Sequence, residues 1–150
     1  MMKALMIVDV QEPCFFKYDS ALLERINRRI LEARTQEQKI VYIQNVKRLR
    51  SGRITDDFAA KLLVLTEHVF SKEQADAFSS EKLLAFLQSE RISEVELVGI
   101  DGNSCISASA KGALQKGYTV SVNLSCTGVA NPLRFEKTKA MLSSLGVLLI

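Results

Sequence analysis

The chain has 150 residues, of which 47% are hydrophobic, so it is long enough and apolar enough to bury a single core. Its 20 basic and 17 acidic residues are scattered and leave a formal charge of +3, too balanced to indicate nucleic acid as a partner. No apolar run approaches the ~20 residues that a membrane span requires, so we expect no membrane partner. We predict one domain over residues 1–150, with no tail.

The three cysteines, Cys14, Cys105 and Cys126, are an odd number at unrelated spacings. That pattern fits neither a disulfide framework nor a zinc site with closely spaced ligand pairs. The apolar run at residues 4–8 is too short for a signal peptide and is ended by Asp9. We therefore expect a protein of the reducing cytoplasm, and we predict no cofactor.

The first half of the chain begins with two strand patterns that flank a helix pattern. Residues 4–8 form a continuous apolar run, typical of a strand buried on both faces of a parallel sheet, and Asp9 follows it. Asp19 or Ser20 can then cap a helix. The apolar positions of that helix fall on one face: Leu22, Leu23, Ile26, Ile30 and Ala33. Residues 39–44 are the second predicted strand.

A basic loop separates the second strand from the third. Its cations are Lys47, Arg48, Arg50 and Arg53. Such a loop can attract an anionic substrate or can be a solvated face, and the sequence leaves both open. Thr55, followed by two aspartates, predicts a helix through about Thr66. The third strand, residues 68–70, comes next and leads into Ser71 and Lys72.

The second half of the chain continues the alternation. Residues 76–80 are predicted to cap a helix. Its inward positions are Leu83, Leu84, Phe86 and Leu87. Residues 95–100 are the fourth strand, and a helix that carries Cys105 runs from there to Gly117. The remaining predicted elements are a fifth strand at residues 118–122, a helix from Pro132 to about Leu145, and a last strand at residues 147–150.

Alternating strands and helices predict a three-layer α/β/α fold on a mainly parallel, doubly wound sheet of five to six strands. Ligands bind such sheets at the carboxyl ends of the strands, where the strand order reverses. Asp9 follows the first strand, Lys72 the third and Cys105 the fourth. If the first strand lies between the second and the fourth, the three side chains converge in one crevice.

Cys105 lies where a nucleophile would be placed. An elbow at residues 99–103 delivers it onto the first turn of a helix, whose unpaired N–H groups favour a thiolate over a thiol. The alternative is a small buried apolar residue. Asp9 would take the thiol proton and Lys72 would stabilise the charged pair, which supplies the base and the cation that a nucleophilic cysteine requires.

Asp9 has a second interpretation as a magnesium ligand. A phosphotransfer receiver domain needs an aspartate after the third strand, where this chain has Lys72. A haloacid-dehalogenase-like phosphatase needs a D-x-D motif, where this chain has Asp9-Val10-Gln11. The sequence therefore disfavours both.

The order and spacing of these pieces resemble the isochorismatase-like cysteine hydrolases, the superfamily of nicotinamidase and N-carbamoylsarcosine amidohydrolase. The pieces are ALMIVDVQ at residues 4–11, Phe70-Ser71-Lys72 with Phe78, and VGIDGNSCIS at residues 98–107, trailed by Ala113 and GYTV at residues 117–120. Each piece alone is weakly specific, but together they span nearly the whole chain. The resemblance implies a hydrolase of small-molecule amides or related C–N bonds that works through a cysteine thioester.

The resemblance also implies roles for individual residues. Asp9, Lys72 and Cys105 would form the catalytic triad. The backbone N–H groups of Asp101 and Cys105 would hold the oxyanion, with a cis peptide between Ile100 and Asp101. Family members commonly form dimers or tetramers, so a homodimer or homotetramer is expected.

The chain departs from the nicotinamidase-type members in its metal ligands. Those members carry an aspartate and histidines between the second and third strands, whereas this chain has only His68 and no D-x-H motif. We therefore predict a metal-independent enzyme in which His68 is not catalytic. Asp101 stands where many relatives have a small or hydroxyl residue, and its side chain would either repel an anionic substrate or point away.

Three further residues are candidates for substrate binding. Gln11 can donate a hydrogen bond to the site, and Phe15 and Phe16 can either form an apolar wall or anchor their loop to the core. Two other functions stay open. A catalytically inactive family member could serve as a small-molecule binding or oligomeric interaction protein. A thiol redox protein is disfavoured because no second cysteine is near Cys105 in sequence.

Overall fold

The structure is a computed structural model that describes residues 2–12, 14–48, 54–55 and 57–150. The strands are β1 (Met2–Val8), β2 (Lys39–Asn45), β3 (Lys47–Arg48), β4 (Ile54–Thr55), β5 (Val69–Lys72), β6 (Ile92–Ile100), β7 (Thr119–Gly128) and β8 (Leu148–Leu149). The α-helices of this part of the chain are α1 (Leu22–Thr35), α2 (Glu81–Ser89), α3 (Ser107–Gln115) and α4 (Pro132–Leu145). For the predicted basic loop, Lys47 to Arg53, the structure describes only the backbone of Lys47 and Arg48, so the question of a substrate contact lies outside the described part of the chain.

Six of these strands form one sheet in the order β5-β2-β1-β6-β7-β8. Every neighbouring pair in it is parallel, and β3 and β4 form a separate antiparallel pair. β1 lies between β2 and β6, which is the arrangement that brings the ends of the first and fourth predicted strands together. The prediction of a three-layer α/β/α fold on a parallel sheet is confirmed.

The continuous apolar run of β1 reflects burial on both faces of the sheet. Ala4 and Met6 pack into a core cluster that includes residues of α2, α3 and α4. Leu5 and Ile7 pack into a second cluster that includes the apolar stripe of α1. Successive side chains of a strand point to opposite faces, so a strand between two helical layers needs apolar residues at every position.

The helix ends are mostly determined by local side chains. Ser80 caps α2 by accepting a hydrogen bond from the N–H of Leu83, as the sequence predicts. The prediction that Asp19 or Ser20 caps α1 is wrong, because the N-cap is Ala21, which makes no side-chain capping bond. Asp19 instead accepts from the N–H of Ala21 at 3.0 Å, so the carboxylate orders the turn before the helix.

The helix predicted from Thr55 to Thr66 is also wrong. Residues 57–66 form turns and irregular backbone that pair with other segments. The N–H of Ala59 donates to the Val10 carbonyl at 2.9 Å, and the Tyr42 hydroxyl donates to the Leu63 carbonyl at 2.6 Å. These tertiary hydrogen bonds replace the intrahelical ones that the local pattern favours. No helix among the described residues is long and apolar enough to cross a membrane.

Candidate active site

Side chains from separate strands meet at the carboxyl edge of the sheet. Asp9 follows β1, Lys72 is the last residue of β5, and Cys105 lies in the turn after β6. Because β1 lies between β2 and β6, and β5 borders β2, these strand ends open on one crevice. Each of the three residues is no more than 9% exposed. The structure therefore brings together the three residues that the sequence predicts as a triad.

The Lys72 ammonium lies at the centre of this cluster. Its Nζ atom donates to Asp9 Oδ2 and to the Gln74 carbonyl, at 3.0 Å in each case. It also donates to Cys105 Sγ at 3.4 Å. An ammonium has three N–H donors, so these contacts use all of them. Lys72 thus holds the carboxylate and the sulfur side by side.

The Asp9 carboxylate has one oxygen without a partner. Asp9 adopts a left-handed backbone conformation with φ of 56°, which aspartate tolerates better than most residues. Its N–H donates to the Ile43 carbonyl at 3.1 Å, which ties it to β2. Its Oδ1 atom is buried and accepts no hydrogen bond from the described residues. This oxygen can accept a proton from a neighbouring group.

Cys105 lies in a π-helical turn, Gly102–Ile106, that leads directly into α3. The sequence predicts the first turn of an α-helix here, and the structure has the wider turn instead. Such turns frequently occur at functional sites. The N–H groups of Ser104 and Ile106 donate to the Asp101 carbonyl at 3.0 and 3.1 Å. These hydrogen bonds fix the backbone on both sides of Cys105.

The prediction that the fold favours the Cys105 thiolate is wrong. Burial raises the pKa of the Cys105 thiol, and the negative charge of Asp9 raises it further, whereas Lys72 lowers it. Burial and a neighbouring carboxylate both disfavour the charged form of a thiol, and here they outweigh the ammonium. These surroundings therefore favour the neutral thiol over the thiolate.

Asp101 holds the elbow between β6 and the π turn. The Ile100–Asp101 peptide bond is cis. Asp101 Oδ1 accepts from the N–H of Asn103 at 2.8 Å, and Oδ2 accepts from the N–H of Ala130 at 2.8 Å and from the Tyr18 hydroxyl at 3.1 Å. Both oxygens thus bind protein groups, while the negative charge stays on the wall of the crevice. Tyr18 has a raised pKa, because of its burial and the charge of Asp101.

The three predicted substrate-binding side chains have different positions. Gln11 lines the crevice, but its amide donates to the Asn45 carbonyl at 3.1 Å and accepts from the Asn45 N–H at 2.7 Å. Phe15 is 7% exposed and packs in the core cluster with α1, whereas Phe16 is 74% exposed. Neither phenylalanine is among the described residues that line the crevice. The structure thus corrects the prediction of an aromatic wall: Phe15 anchors the loop.

The crevice is a cavity of about 250 Å³ with walls that the sequence only partly indicates. Cys14 lines it, and the lining residues that sequence reasoning missed are Glu12, Tyr18, Asn45, Ile100 and Ser104. Asn45 is the polar residue at the carboxyl end of β2, and that position is a signal that could have found it. Tyr18 gave no comparable signal, because its place depends on its contact with Asp101.

The comparison with protein-family models matches residues 3–148 to the isochorismatase domain. The chain belongs to the isochorismatase family. Membership of this family makes the protein a hydrolase. A comparison with curated protein sequences found no match.

The isochorismatase fold of this chain is similar to that of solved structures with low sequence identity. An isochorismatase-like hydrolase from Alkaliphilus metalliredigens has a TM-score of 0.86 at 20% identity, and the match covers 99% of this chain and 94% of that one. Nicotinamidase from Bacillus subtilis has a TM-score of 0.83 at 16% identity, covering 99% of each chain. Pyrazinamidase of Pyrococcus horikoshii in complex with zinc has a TM-score of 0.81 at 18% identity, covering 100% of this chain and 99% of that one.

The residues of this isochorismatase-family chain do not fit the zinc of that last neighbour. Zinc in proteins is usually bound by histidine, cysteine or carboxylate ligands. Within the described ranges, no group of three or more such residues could hold a metal ion. The single histidine, His68, precedes β5 at the end opposite Lys72, and its ring lies 4.6 Å from that of Phe86. We therefore derive no chemical step through a metal, and metal independence stays a prediction.

Proposed function

We propose that the protein is a metal-independent cysteine hydrolase that cleaves a small-molecule amide or related C–N bond through a thioester on Cys105. One observation carries the proposal: Lys72 Nζ contacts both Asp9 Oδ2 and Cys105 Sγ, while Asp9 Oδ1 is buried and has no partner among the described residues. A nucleophile and a base thus line one cavity, and a cation contacts both of them. Covalent catalysis by cysteine requires these three parts.

In the first half-reaction Asp9 is the general base. Its Oδ1 takes the thiol proton as the Cys105 sulfur attacks the substrate carbonyl carbon, and a C–S bond forms. Lys72 stays charged and stabilises the developing thiolate. Asp9 then gives the same proton to the leaving nitrogen, the C–N bond breaks, and ammonia or an amine departs from the thioester.

In the second half-reaction water cleaves the thioester. Asp9 is again ionised and takes a proton from the attacking water, whose oxygen forms a bond to the acyl carbon. The C–S bond breaks and the proton returns to the Cys105 sulfur. The products are a carboxylic acid and the neutral thiol, which is the form that burial and Asp9 favour in the resting protein.

We assign the oxyanion of each tetrahedral intermediate to the backbone N–H groups of Asp101 and Cys105. The elbow that carries them is held by the Asp101 carboxylate and by the two hydrogen bonds to the Asp101 carbonyl. A preorganised pair of N–H donors stabilises charge without reorganisation during the reaction. The amide class is also supported by neighbours that are a nicotinamidase and a pyrazinamidase.

Ammonia release from a panel of small amides and carbamoyl compounds tests the proposal. We expect turnover of at least one compound by the unaltered protein and none by Cys105→Ala. Cys126→Ala is the matched control, because Cys126 is also buried but packs in the cluster with α1. Binding of compounds without turnover of any of them would contradict the proposal and favour a catalytically inactive binding protein.

The sequence-based expectations of a homo-oligomer and of a cytoplasmic location are also proposals. Large apolar side chains at the surface support self-association, among them Leu133 at 85% and Ile150 at 55% exposure. The three cysteines are all unpaired, which suits a reducing compartment. Light scattering after size exclusion tests the first: a dimer or tetramer is expected, and a monomer at micromolar concentration would contradict it.

A further inference from the structure

One buried acceptor in the cavity has no part in the proposed chemistry. The Oδ1 atom of Asn45 is buried and accepts no hydrogen bond from the described residues, and Asn45 lines the same cavity as Cys105. The other unpaired acceptor there, Asp9 Oδ1, is assigned to the thiol proton. A buried acceptor without a partner is unfavourable, so a ligand that donates to it gains affinity.

The fold places the Asn45 side chain beside the proposed triad. Asn45 is the last residue of β2 and the register partner of Lys72 on β5. Registered residues on neighbouring parallel strands carry their side chains on the same face of the sheet. The Gln11 amide binds both the N–H and the carbonyl of Asn45, at 2.7 and 3.1 Å. Asn45 is therefore held in place without using its own amide oxygen.

The charge of the cavity wall that the structure describes is unfavourable for anions. Its described lining residues include the carboxylates of Glu12 and Asp101 in addition to Asp9, and none of them is a lysine or arginine. The Lys72 ammonium is paired with Asp9 at 3.0 Å, so it offsets that carboxylate alone. An anionic ligand would face the two remaining negative charges in a partly enclosed site, where charge repulsion is weakly screened.

We propose that Asn45 is a specificity-determining residue whose side-chain oxygen accepts a hydrogen bond from an N–H group of the substrate. The inference rests on the proposed amide hydrolysis and specifies its substrate class: small neutral or cationic amides that carry a second N–H donor. The carboxylates of Glu12 and Asp101 disfavour the corresponding anions. A cavity of about 250 Å³ restricts the class to small molecules.

Three probes of nearly identical shape test the proposal. Malonamide, acetoacetamide and malonamate share one carboxamide and differ in the group on the other carbonyl, which is NH2, CH3 or O⁻. Each is titrated for protection of Cys105 against iodoacetamide, with the alkylated cysteine identified by peptide mass spectrometry. This readout needs no turnover. We expect malonamide to reach half-protection at a concentration at least tenfold below that of either other probe.

Two substitutions assign the preference to Asn45. Asn45→Leu removes the acceptor at similar size. The malonamide concentration that gives half-protection should therefore rise to that of acetoacetamide, and the value for acetoacetamide itself should change less than threefold. Asn45→Asp keeps an acceptor and should keep the preference for malonamide over acetoacetamide, which covers the case that the leucine variant fails to fold.

Three outcomes would overturn the role of Asn45. They are protection by none of the probes, equal protection by malonamide and malonamate, and an undiminished malonamide advantage in a folded Asn45→Leu protein. Failure of the hydrolase proposal is distinguishable from these. No ammonia release from any amide, with the malonamide preference intact, would contradict hydrolysis and leave the role of Asn45 supported.

Discussion

Burial and the neighbouring carboxylate of Asp9 together raise the pKa of the Cys105 thiol, the group from which Asp9 is proposed to take a proton. Lys72 lowers that pKa but does not reverse the shift. The Asp9–Lys72 ion pair then lies beside a sulfur whose neutral form is favoured, and Asp9 Oδ1 accepts no hydrogen bond from the described part of the chain. In the proposed mechanism the thiolate forms only during attack on a bound substrate.

Replacing Asp9 should have two opposite effects on Cys105. In Asp9→Asn the thiol pKa falls, because a neighbouring negative charge is removed, while turnover drops about 10²–10⁴-fold because the general base is lost. The pH dependence of iodoacetamide alkylation at Cys105 gives the pKa, and ammonia release gives the turnover. A variant with an unchanged or higher thiol pKa, or with turnover close to that of the unaltered protein, would show that Asp9 is not the base.

Replacing Lys72 should destabilise the fold through Asp9. In Lys72→Met the buried carboxylate loses its ion-pair partner, and the free energy of unfolding falls by about 3–5 kcal/mol. The thiol pKa rises as well, since the group that lowers it is gone. Denaturant unfolding of Lys72→Met, Asp9→Asn and the double variant measures the coupling. We expect the double variant to be more stable than Lys72→Met alone, and strict additivity would contradict the pairing.

Close packing of β6 against β1 should depend on Gly99. This residue has φ of +124°, and a Cβ atom there would collide with the Val8 carbonyl, one residue before Asp9. Backbone strain alone would lower the free energy of unfolding of Gly99→Ala by about 1–3 kcal/mol, and the collision should make the loss larger. Gly117→Ala is the matched control, because Gly117 has φ of +91° and a Cβ atom there would meet no described atom within 4 Å. Equal losses in thermal unfolding would contradict the collision.

The buried ion cluster around Glu96 should make stability depend on acid pH. Burial alone would raise the Glu96 pKa, but hydrogen bonds from Arg29 at 2.8 Å, Lys3 at 2.9 Å and Asn123 at 3.1 Å lower it to about 2. A folded-state pKa below the unfolded value gives stability that is present above about pH 4.5 and is lost as the pH falls toward 2.

Denaturant unfolding between pH 6 and pH 2.5 measures this dependence. Glu96→Gln should remove much of the fall in the free energy of unfolding on acidification. Glu67→Gln, at an exposed position, should leave that fall unchanged. If the two variants had the same pH dependence as the unaltered protein, Glu96 would not be the group responsible.

Chelation should leave activity unaffected. The described residues offer no cluster of three metal ligands, and the proposed steps use only side chains and backbone N–H groups. Turnover of the best amide is measured after dialysis against a strong chelator and again after zinc or iron is added. Loss of activity that either metal restores would contradict metal independence.

The sequence predicts the sheet and the meeting of the three side chains because both depend on simple patterns. A continuous apolar run such as residues 4–8 requires burial on both faces, and parallel strands place their carboxyl ends at one edge. The polar residue after each run, Asp9 or Lys72, is therefore placed correctly by chain order alone.

Other features depend on contacts between distant residues. The segment from Thr55 to Thr66 has a helical pattern, but its backbone pairs with residues after β1 and with Tyr42. The direction of the Cys105 pKa shift depends on how deeply the sulfur is buried, which the pattern of a helix start does not reveal. The role proposed for Asn45 depends on its side-chain oxygen, which is buried and accepts no hydrogen bond from the residues that the structure describes.

The central claim is that Cys105 forms a covalent acyl intermediate that Asp9 helps to make and to hydrolyse. The most direct measurement is intact-mass spectrometry after rapid acid quench of the protein with its best amide substrate. We predict a mass increase equal to the acyl group on Cys105, absent in Cys105→Ala and unaffected in Cys126→Ala. Turnover of that substrate without an acyl adduct, or an undiminished adduct in Cys105→Ala, would contradict the claim.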